Sequence, residues 1–394
     1  MALDVPRLAD LDVAGRRVLV RVDFNVPLDG EGRITDDTRI RAALPTIRAV
    51  LARGGRPVLM SHLGRPKGQV VEGMRLTPVA ARLEELLGSP VRKLDESVGA
   101  AVERTVAAMR PGTVVLLENV RFHAGETKGD PALAAAFARL GDVFVNDAFG
   151  TSHRDHASVC GVARLLPAAA GLLLEAEVAA FRRVLEDPAR PLVAILGGAK
   201  VSDKLPAVAN LIERVDSILI GGGMAYTFLA AAGKEVGRSI VQADQIESVR
   251  TAVARAAARG THLGLPADHV VAEAFAADAP ARVVEEIPPG FQALDIGPRT
   301  RAAYAAEIRT ARTVVWNGPM GVFEWEAFRA GTAAVGRAVG ECAGYTVVGG
   351  GDSVAAVETL GLGDRIDHIS TGGGASLELL EGRLLPGIAA LARR

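Results

Sequence analysis

Arginine, histidine and glycine in this chain gather where short apolar runs stop. The first such run ends in Arg21-Val22-Asp23-Phe24-Asn25-Val26-Pro27, and the second in Ser61-His62-Leu63-Gly64-Arg65-Pro66. A third leads into Glu118-Asn119-Val120-Arg121-Phe122-His123, and a fourth into Asn146-Asp147 and then His153-Arg154-Asp155-His156. One basic side chain on a loop is ordinary, but Arg or His at four such ends points to a shared anion. Arg39, Arg65, Arg121 and Arg154 can grip carboxylate and phosphate through planar guanidinium forks. Arg39 falls in the first turn of a helical pattern. There the helix dipole opposes a cation by ~0.3–1 kcal/mol, and a bound anion reverses the sign. Asp23 and Asn25 suit a hydroxyl rather than a phosphate. The implied ligand is a small hydroxylated acid bearing a phosphate.

In the second half the run ends are glycine-rich instead: Gly197-Gly198-Ala199-Lys200-Val201-Ser202-Asp203-Lys204, Gly221-Gly222-Gly223, Asn317-Gly318-Pro319-Met320-Gly321, Gly349-Gly350-Gly351-Asp352-Ser353 and Thr371-Gly372-Gly373-Gly374. Glycine lets a backbone approach a ligand closely, and the free N–H groups of a helix start attract phosphate. Lys200 and Lys204 are two of only six lysines and read as cations at a helix start, an arrangement that a polyphosphate would stabilise. A single glycine cluster marks no more than a tight turn; five at five run ends carry the reading. Asp352 suits a Mg²⁺ contact, since Mg²⁺ takes one or two carboxylates plus phosphate oxygens. It equally suits a helix N-cap, and the two roles are compatible.

These residues need a scaffold that aligns strand ends, and the chain alternates short apolar runs with helical patterns, the signature of βαβ units on a parallel sheet. Strands are expected at Arg17–Asp23, Pro57–Ser61, Thr113–Glu118 and Asp142–Asn146, then at Pro191–Leu196, Asp216–Ile220, His269–Ala272, Thr313–Trp316, Tyr345–Val348 and Asp367–Ser370. Ile40, Leu44, Ile47 and Leu51 form a helical stripe, with Asp37 or Thr38 as its cap and Gly54-Gly55 as its stop. The expected fold is α/β, with two doubly wound, Rossmann-like parallel-sheet domains joined by a linker helix. The expected boundaries are 1–170, a helix and hinge at 171–190, 191–383, and a tail at 384–394. In such sheets ligands bind outside the carboxyl ends of the strands.

Composition agrees with this. The 394 residues exceed one ordinary core,. With 49% apolar and 23% charged residues the chain is globular rather than disordered,. A formal net charge of −1 gives no field that would draw nucleic acid or acidic membranes, so anion binding must be local,. The first fifteen residues lack the apolar core of a secretory signal, no apolar run reaches a membrane span, and Cys160 and Cys342 have no metal-type spacing. A GxxxxGK[ST] loop is absent, because Gly233-Lys234 is followed by Glu235,. A GxGxxG after the first strand is also absent, which weighs against a nicotinamide-dependent dehydrogenase. A non-catalytic phosphometabolite binder is the other alternative, and the intact Lys200, Lys204 and Asp352 weigh against it.

In order and spacing, the motifs at 21–27, 61–66, 197–204 and 349–353, with Trp316-Asn-Gly-Pro-Met-Gly-Val-Phe-Glu324 and Ser370-Thr-Gly-Gly-Gly-Ala-Ser376, resemble phosphoglycerate kinases from end to end. The resemblance implies reversible phosphoryl transfer from 1,3-bisphosphoglycerate to Mg-ADP, giving 3-phosphoglycerate and ATP in glycolysis. It implies that Asp23 and Asn25 hold the glycerate hydroxyl, within the Asp23–Asn25 loop that includes Phe24. Arg39, His62, Arg65, Arg121 and Arg154 would hold the carboxyl and phosphate ends, beside Leu63 and Gly64. Lys200 and Lys204 would meet the nucleotide phosphates, and Asn317 and the Gly350–Ser353 turn would lie beside them. Gly198, Gly221 and Pro319 would line the nucleoside site, Glu324 would take the ribose and Asp352 the Mg²⁺. Arg39, Lys200, Lys204 and the amides of Gly372, Gly373 and Gly374 would stabilise the transferring group after a hinge closure. The resemblance also implies a cytoplasmic monomer whose tail, around Leu385-Pro-Gly-Ile388, returns to the N-terminal domain. Ala293 and Asp155 depart from the family pattern, and Asp155 would compete for Arg154 if it faced the site.

Overall fold

The computed structural model describes residues 5–392. It divides into two compact units, one running to Ala179 and taking back the segment from Leu384, the other spanning Ala180–Arg383. The first contains β1 (Arg17–Arg21), β2 (Arg56–Met60), β3 (Val91–Lys93), β4 (Val114–Leu116), β5 (Val143–Asn146) and β6 (Ala168–Ala170). They form one parallel sheet in the order β3-β4-β2-β1-β5-β6. The second contains β7 (Leu192–Leu196), β8 (Ser217–Ile220), β9 (His262–Gly264), β10 (His269–Ala272), β11 (Arg282–Val284), β12 (Gln292–Ile296), β13 (Thr313–Asn317), β14 (Tyr345–Gly349) and β15 (His368–Ile369). Six of these make a parallel sheet in the order β15-β14-β13-β7-β8-β9. β7 is buried along its whole length, as a strand covered by helices on both faces must be,. No helix among the described residues is long and apolar enough to cross a membrane.

The structure corrects several local expectations. β10 is not in the parallel sheet: it pairs antiparallel with β11 and β12 in a separate three-stranded sheet. The run Val270–Ala272 reads the same way in either setting, because a short apolar run carries no information about its partner's direction. β3, β6 and β9 escape the sequence reading because they are three-residue strands; β6 is all alanine, a poor strand former,. The first helix runs Thr38–Ala52 with Asp37 at its N-cap position, yet the capping oxygen comes from Asp36, whose Oδ1 accepts the Thr38 N–H at 2.8 Å. The Asp37 carboxylate is taken by Arg41 and Arg82 instead. The tail's last helix, Pro386–Leu391, is fixed in the first unit, where the Gly387 N–H donates to the Ser152 carbonyl at 2.8 Å.

Helix Leu172–Leu185 leaves the first unit from a polar seat. Asp147, just past β5, accepts the N–H of Leu173 at 2.9 Å and of Leu174 at 3.4 Å, and Thr46 Oγ1 accepts that of Leu172 at 2.9 Å. A Cβ on Gly171 would run into the Asp147 carboxylate, so glycine is required there. Burial pushes the Asp147 carboxyl up from 3.8 to about 7. The folded state therefore keeps a proton that the unfolded chain releases between those values, and this group's contribution to stability falls as pH rises through that window. Asp147→Asn, which keeps an acceptor for the helix, should flatten that decline and raise stability at pH 8 by on the order of 1–4 kcal/mol. Urea unfolding of both proteins at pH 5 and pH 8 measures it, and an unchanged pH dependence would contradict the assignment.

Candidate functional site

In the first unit the strand ends meet through hydrogen bonds between their loops. After β1 the chain turns at Asp23, whose Oδ1 accepts the Asn25 N–H at 3.2 Å. Asn25 Oδ1 accepts the N–H of Gly64, in the loop after β2, at 2.8 Å. The Gly64 carbonyl in turn accepts Arg121 Nη1, from the turn after β4, at 2.9 Å. Gly64 has φ +63, where side chains are strained, and a Cβ there would lie 2.8 Å from Met74 Sδ,. Leu63 is buried behind this loop, its carbonyl bonded by Asn119 Nδ2, and Phe24 is fully buried.

Arg39 stands in the first turn of its helix and donates through Nη1 to Asp23 Oδ2 at 2.6 Å. The cation at the wrong end of the dipole thus has a carboxylate partner. Burial pushes the Asp23 carboxyl up, but the positive groups around it, Arg39 and Arg21 among them, outweigh burial and hold it below the ordinary value. His62 is 3% exposed, and burial drives its pKa well below the ordinary imidazole value.

Arg65, Arg121 and Arg154 come together around an open cavity of about 840 Å³. Lys67, His123, Lys128 and His156 share its wall; the two histidines stand in the strand-end motifs singled out above, whereas Lys67 and Lys128 were not picked out. Lys67 has φ +58, the left-handed region, a strain that collects at functional sites,. Asp155 lies on the rim, where its carboxylate pairs with Arg164 at 2.9 Å. Burial lowers the His156 pKa to about 4, so that side chain is neutral near pH 7.

The second unit builds its strand ends from interlocked backbone. Gly197 and Gly198 donate to the carbonyls of Asn317 and Pro319, each at 3.0 Å, and Gly222 donates to that of Met320 at 2.9 Å. A Cβ on Gly222 would sit 2.6 Å from the Gly198 nitrogen, so these loops close only without side chains,. Gly221 packs against Met320 in the same way. The buried Ser353 accepts the Gly318 N–H at 2.5 Å, tying the loop after β13 to helix Gly351–Thr359. Gly372 is the N-cap residue of helix Gly373–Leu380, and Gly373 and Gly374 form its first turn. A Cβ on Gly373 would lie 3.3 Å from the Gly351 nitrogen, so this helix start adjoins the Gly350–Asp352 turn.

Lys204 is the N-cap residue of helix Leu205–Leu211, whereas Lys200 lies in the exposed loop before it and not on its first turn. Lys204 Nζ donates to Asn317 Oδ1. The other amide atom, Asn317 Nδ2, is buried without a partner among the described residues, a donor awaiting an acceptor,. Asp352 is exposed on the helix start near Lys204, whose pKa it raises. No group of three or more metal-ligating acids, histidines or cysteines occurs among the described residues. One exposed carboxylate fits an ion that arrives on phosphate oxygens rather than one caged by protein.

A profile of the phosphoglycerate kinase family matches residues 8–383. The chain belongs to the phosphoglycerate kinase family. It is 58% identical over 389 residues to the phosphoglycerate kinase of Moorella thermoacetica, covering 98% of this chain and 99% of the relative. It is 57% identical over 391 residues to that of Chloroflexus aurantiacus, covering 98% of each. Among solved structures, phosphoglycerate kinase from Coxiella burnetii superposes with a TM-score of 0.90 at 41% identity, over 99% of this chain and 100% of that one. The Pyrococcus horikoshii enzyme gives 0.85 at 34% identity, over 98% of each. The family's activity is phosphoryl transfer to or from a carboxyl group in glycolysis, and the family named from the sequence motifs is the one these comparisons show.

Of the two departures from the family pattern, Ala293 is 8% exposed in β12 and its N–H is held by Ser239 Oγ at 2.9 Å, while Asp155 faces Arg164. A further feature was missed by reading motifs. Phe275, 61% exposed, lies tilted against Trp325 with ring centroids 4.6 Å apart, one residue beyond the exposed Glu324. Its only sequence signal is a lone aromatic in an alanine-rich loop.

Burial lowers Lys204 to about 8. The free protein therefore loses this ammonium as pH rises through 8, while bound phosphate would restore it. ADP affinity should fall about tenfold between pH 7 and pH 9, and Lys204→Arg should remove that fall. Isothermal titration at the two pH values tests this, and a flat profile in the unsubstituted protein would refute it.

Proposed function

We propose that this chain interconverts 1,3-bisphosphoglycerate plus Mg-ADP with 3-phosphoglycerate plus Mg-ATP, the acid held by the first unit and the nucleotide by the second. What supports this most is the contrast between the two sets of strand ends. One presents Arg39, Arg65, Arg121 and Arg154. The other presents glycine backbone with Lys204 and Asn317 Nδ2, which has no partner among the described residues.

Asp23 and Asn25 would take the glycerate hydroxyl. Arg39, His62, Arg65, Arg121 and Arg154 would take the carboxyl and phosphate ends. Arg39 uses one of its five N–H donors on Asp23, which leaves the others for substrate,. In the second unit Lys200 and Lys204 would meet the phosphates. Gly198, Gly221 and Pro319 would line the nucleoside, and Glu324 would take the ribose. Asp352 would contact Mg²⁺, which when bound with the nucleotide neutralises charge on its phosphate oxygens. We further propose a cytoplasmic monomer without nucleic-acid or membrane partners, in keeping with a formal net charge of −1,.

In the direction of 1,3-bisphosphoglycerate synthesis, the nucleophile is a carboxylate. It is ionised at neutral pH, so no base is needed. A carboxylate oxygen forms a bond to the γ-phosphorus as the bond to the ADP oxygen breaks, and the electron pair leaves with ADP. Catalysis then rests on alignment and on stabilising charge spread over the transferring group. Arg39, Lys200 and the Gly372–Gly374 amides are suited to that task. In a coupled assay of 3-phosphoglycerate with MgATP, the protein should turn over and Arg39→Ala should lose about 10²–10³ in kcat. No turnover in the unsubstituted protein would sink the reading.

Because acid and nucleotide are assigned to different units, transfer requires a closure that aligns them, and we place its hinge around residues 165–190. Exclusion of water from the reacting phosphate would follow from the same motion. Small-angle scattering should show a smaller radius of gyration with both substrates than with neither. Equal radii would remove the closure from the mechanism.

A further inference from the structure

Arg21, on the central strand β1, is fully buried and takes no part in the roles above. Its guanidinium makes three contacts. Nε donates to Ser158 Oγ at 2.8 Å, Nη1 donates to the Val22 carbonyl, and Nη2 lies 3.2 Å from His62 Nδ1. A guanidinium has only donors. The Ser158 hydroxyl accepts from Arg21 and donates its own proton to Glu126 Oε1 at 2.5 Å. His62 Nδ1, facing an obligatory donor, must present its lone pair.

The other groups around His62 do not alter this. Asp23 Oδ1 is 3.9 Å from His62 Nδ1, beyond hydrogen-bond distance, although its charge favours a positive imidazole,. Burial opposes that charge most, and Arg21, Arg121 and Arg39 oppose it as well, which together outweigh Asp23. Protonating Nδ1 would set two N–H groups against each other at the Arg21 contact. The far end of the chain is equally fixed. Glu126 is fully buried and accepts both the Ser158 hydroxyl and, through Oε2, the Ser158 N–H at 2.9 Å. Arg21 thus donates both ways along the row, to Ser158, which passes its proton to Glu126, and to His62.

We infer that Arg21 is a positioning residue that holds His62 as the neutral Nε2–H tautomer, so that His62 serves the phosphoglycerate site as a hydrogen-bond donor and not as one of its cations. The second half of that statement rests on the substrate assignment made above; the first does not.

Nitrogen-15 NMR of the ligand-free protein tests the tautomer directly, with the His62 signal identified among the seven histidines by its loss in His62→Gln. The expected spectrum has an unprotonated Nδ1 and a protonated Nε2, unchanged from about pH 5.5 to 8. A protonated Nδ1, or an imidazolium near neutrality, would overturn the inference whatever the protein's substrate. Arg21→Lys keeps the charge but cannot span Ser158, Val22 and His62 together. It should mix the His62 tautomers and raise KM for 3-phosphoglycerate roughly tenfold or more, with kcat changed far less. A single Nε2–H tautomer surviving in Arg21→Lys would overturn the positioning role. If that variant does not fold, the spectrum of the unsubstituted protein decides alone.

Discussion

A fully buried cation in the middle strand of a sheet is a demand that the surrounding chain must meet, since an uncompensated buried charge costs several kcal/mol. Arg21 makes that demand in the first unit, and its partners come from different strand ends: His62 after β2, Glu126 beyond β4 and Ser158 beyond β5. One charge thereby draws three loops onto the carboxyl edge of β1. The Asn25–Gly64–Arg121 relay lies on the same edge and repeats the tie with neutral groups. The arginines around the 840 Å³ cavity stand on loops fixed in this way, so their arrangement exists before any ligand arrives.

The second unit solves the same problem without buried charge. Its loops after β7, β8 and β13 exchange backbone hydrogen bonds at distances that exclude a Cβ. Such packing leaves N–H groups near the surface and few side chains to obstruct a flat or extended ligand. Asn317 Nδ2 is then informative, as a buried donor with no partner among the described residues. A buried donor is tolerated where a phosphate or water oxygen completes it.

Much of this was legible in the sequence because function in parallel sheets sits at strand ends, and strand ends can be found from apolar runs. The clusters at 21–27, 61–66, 197–204 and 349–353 emerged that way. What stayed hidden depends on partners distant in sequence. Arg21 and Glu126 are 105 positions apart, and no spacing rule joins them through Ser158. Asp36 rather than Asp37 caps the first helix because Arg82, on another helix, competes for Asp37. The antiparallel setting of β10 depends on β11, whose Arg-Val-Val run is exposed along most of its length and gives no apolar signal.

Taken with the pairings above, the ligand-free protein keeps part of its reactive charge internally balanced. Arg39 rests on Asp23, His62 and His156 are neutral near pH 7, and Lys204 is lowered to about 8 beside Asn317. Of the cations offered to an anion, Arg65, Arg154 and Lys200 remain exposed, whereas Arg121 and Lys204 are half-buried and held by the Gly64 carbonyl and Asn317. For those two, desolvation, normally the main opponent of a buried ion pair, has been met in part during folding. What binding must add is an exchange of partners, joined above about pH 8 by the proton that Lys204 regains. That division between folding and binding lets a strongly charged ligand be gripped and released without the loops themselves having to unfold.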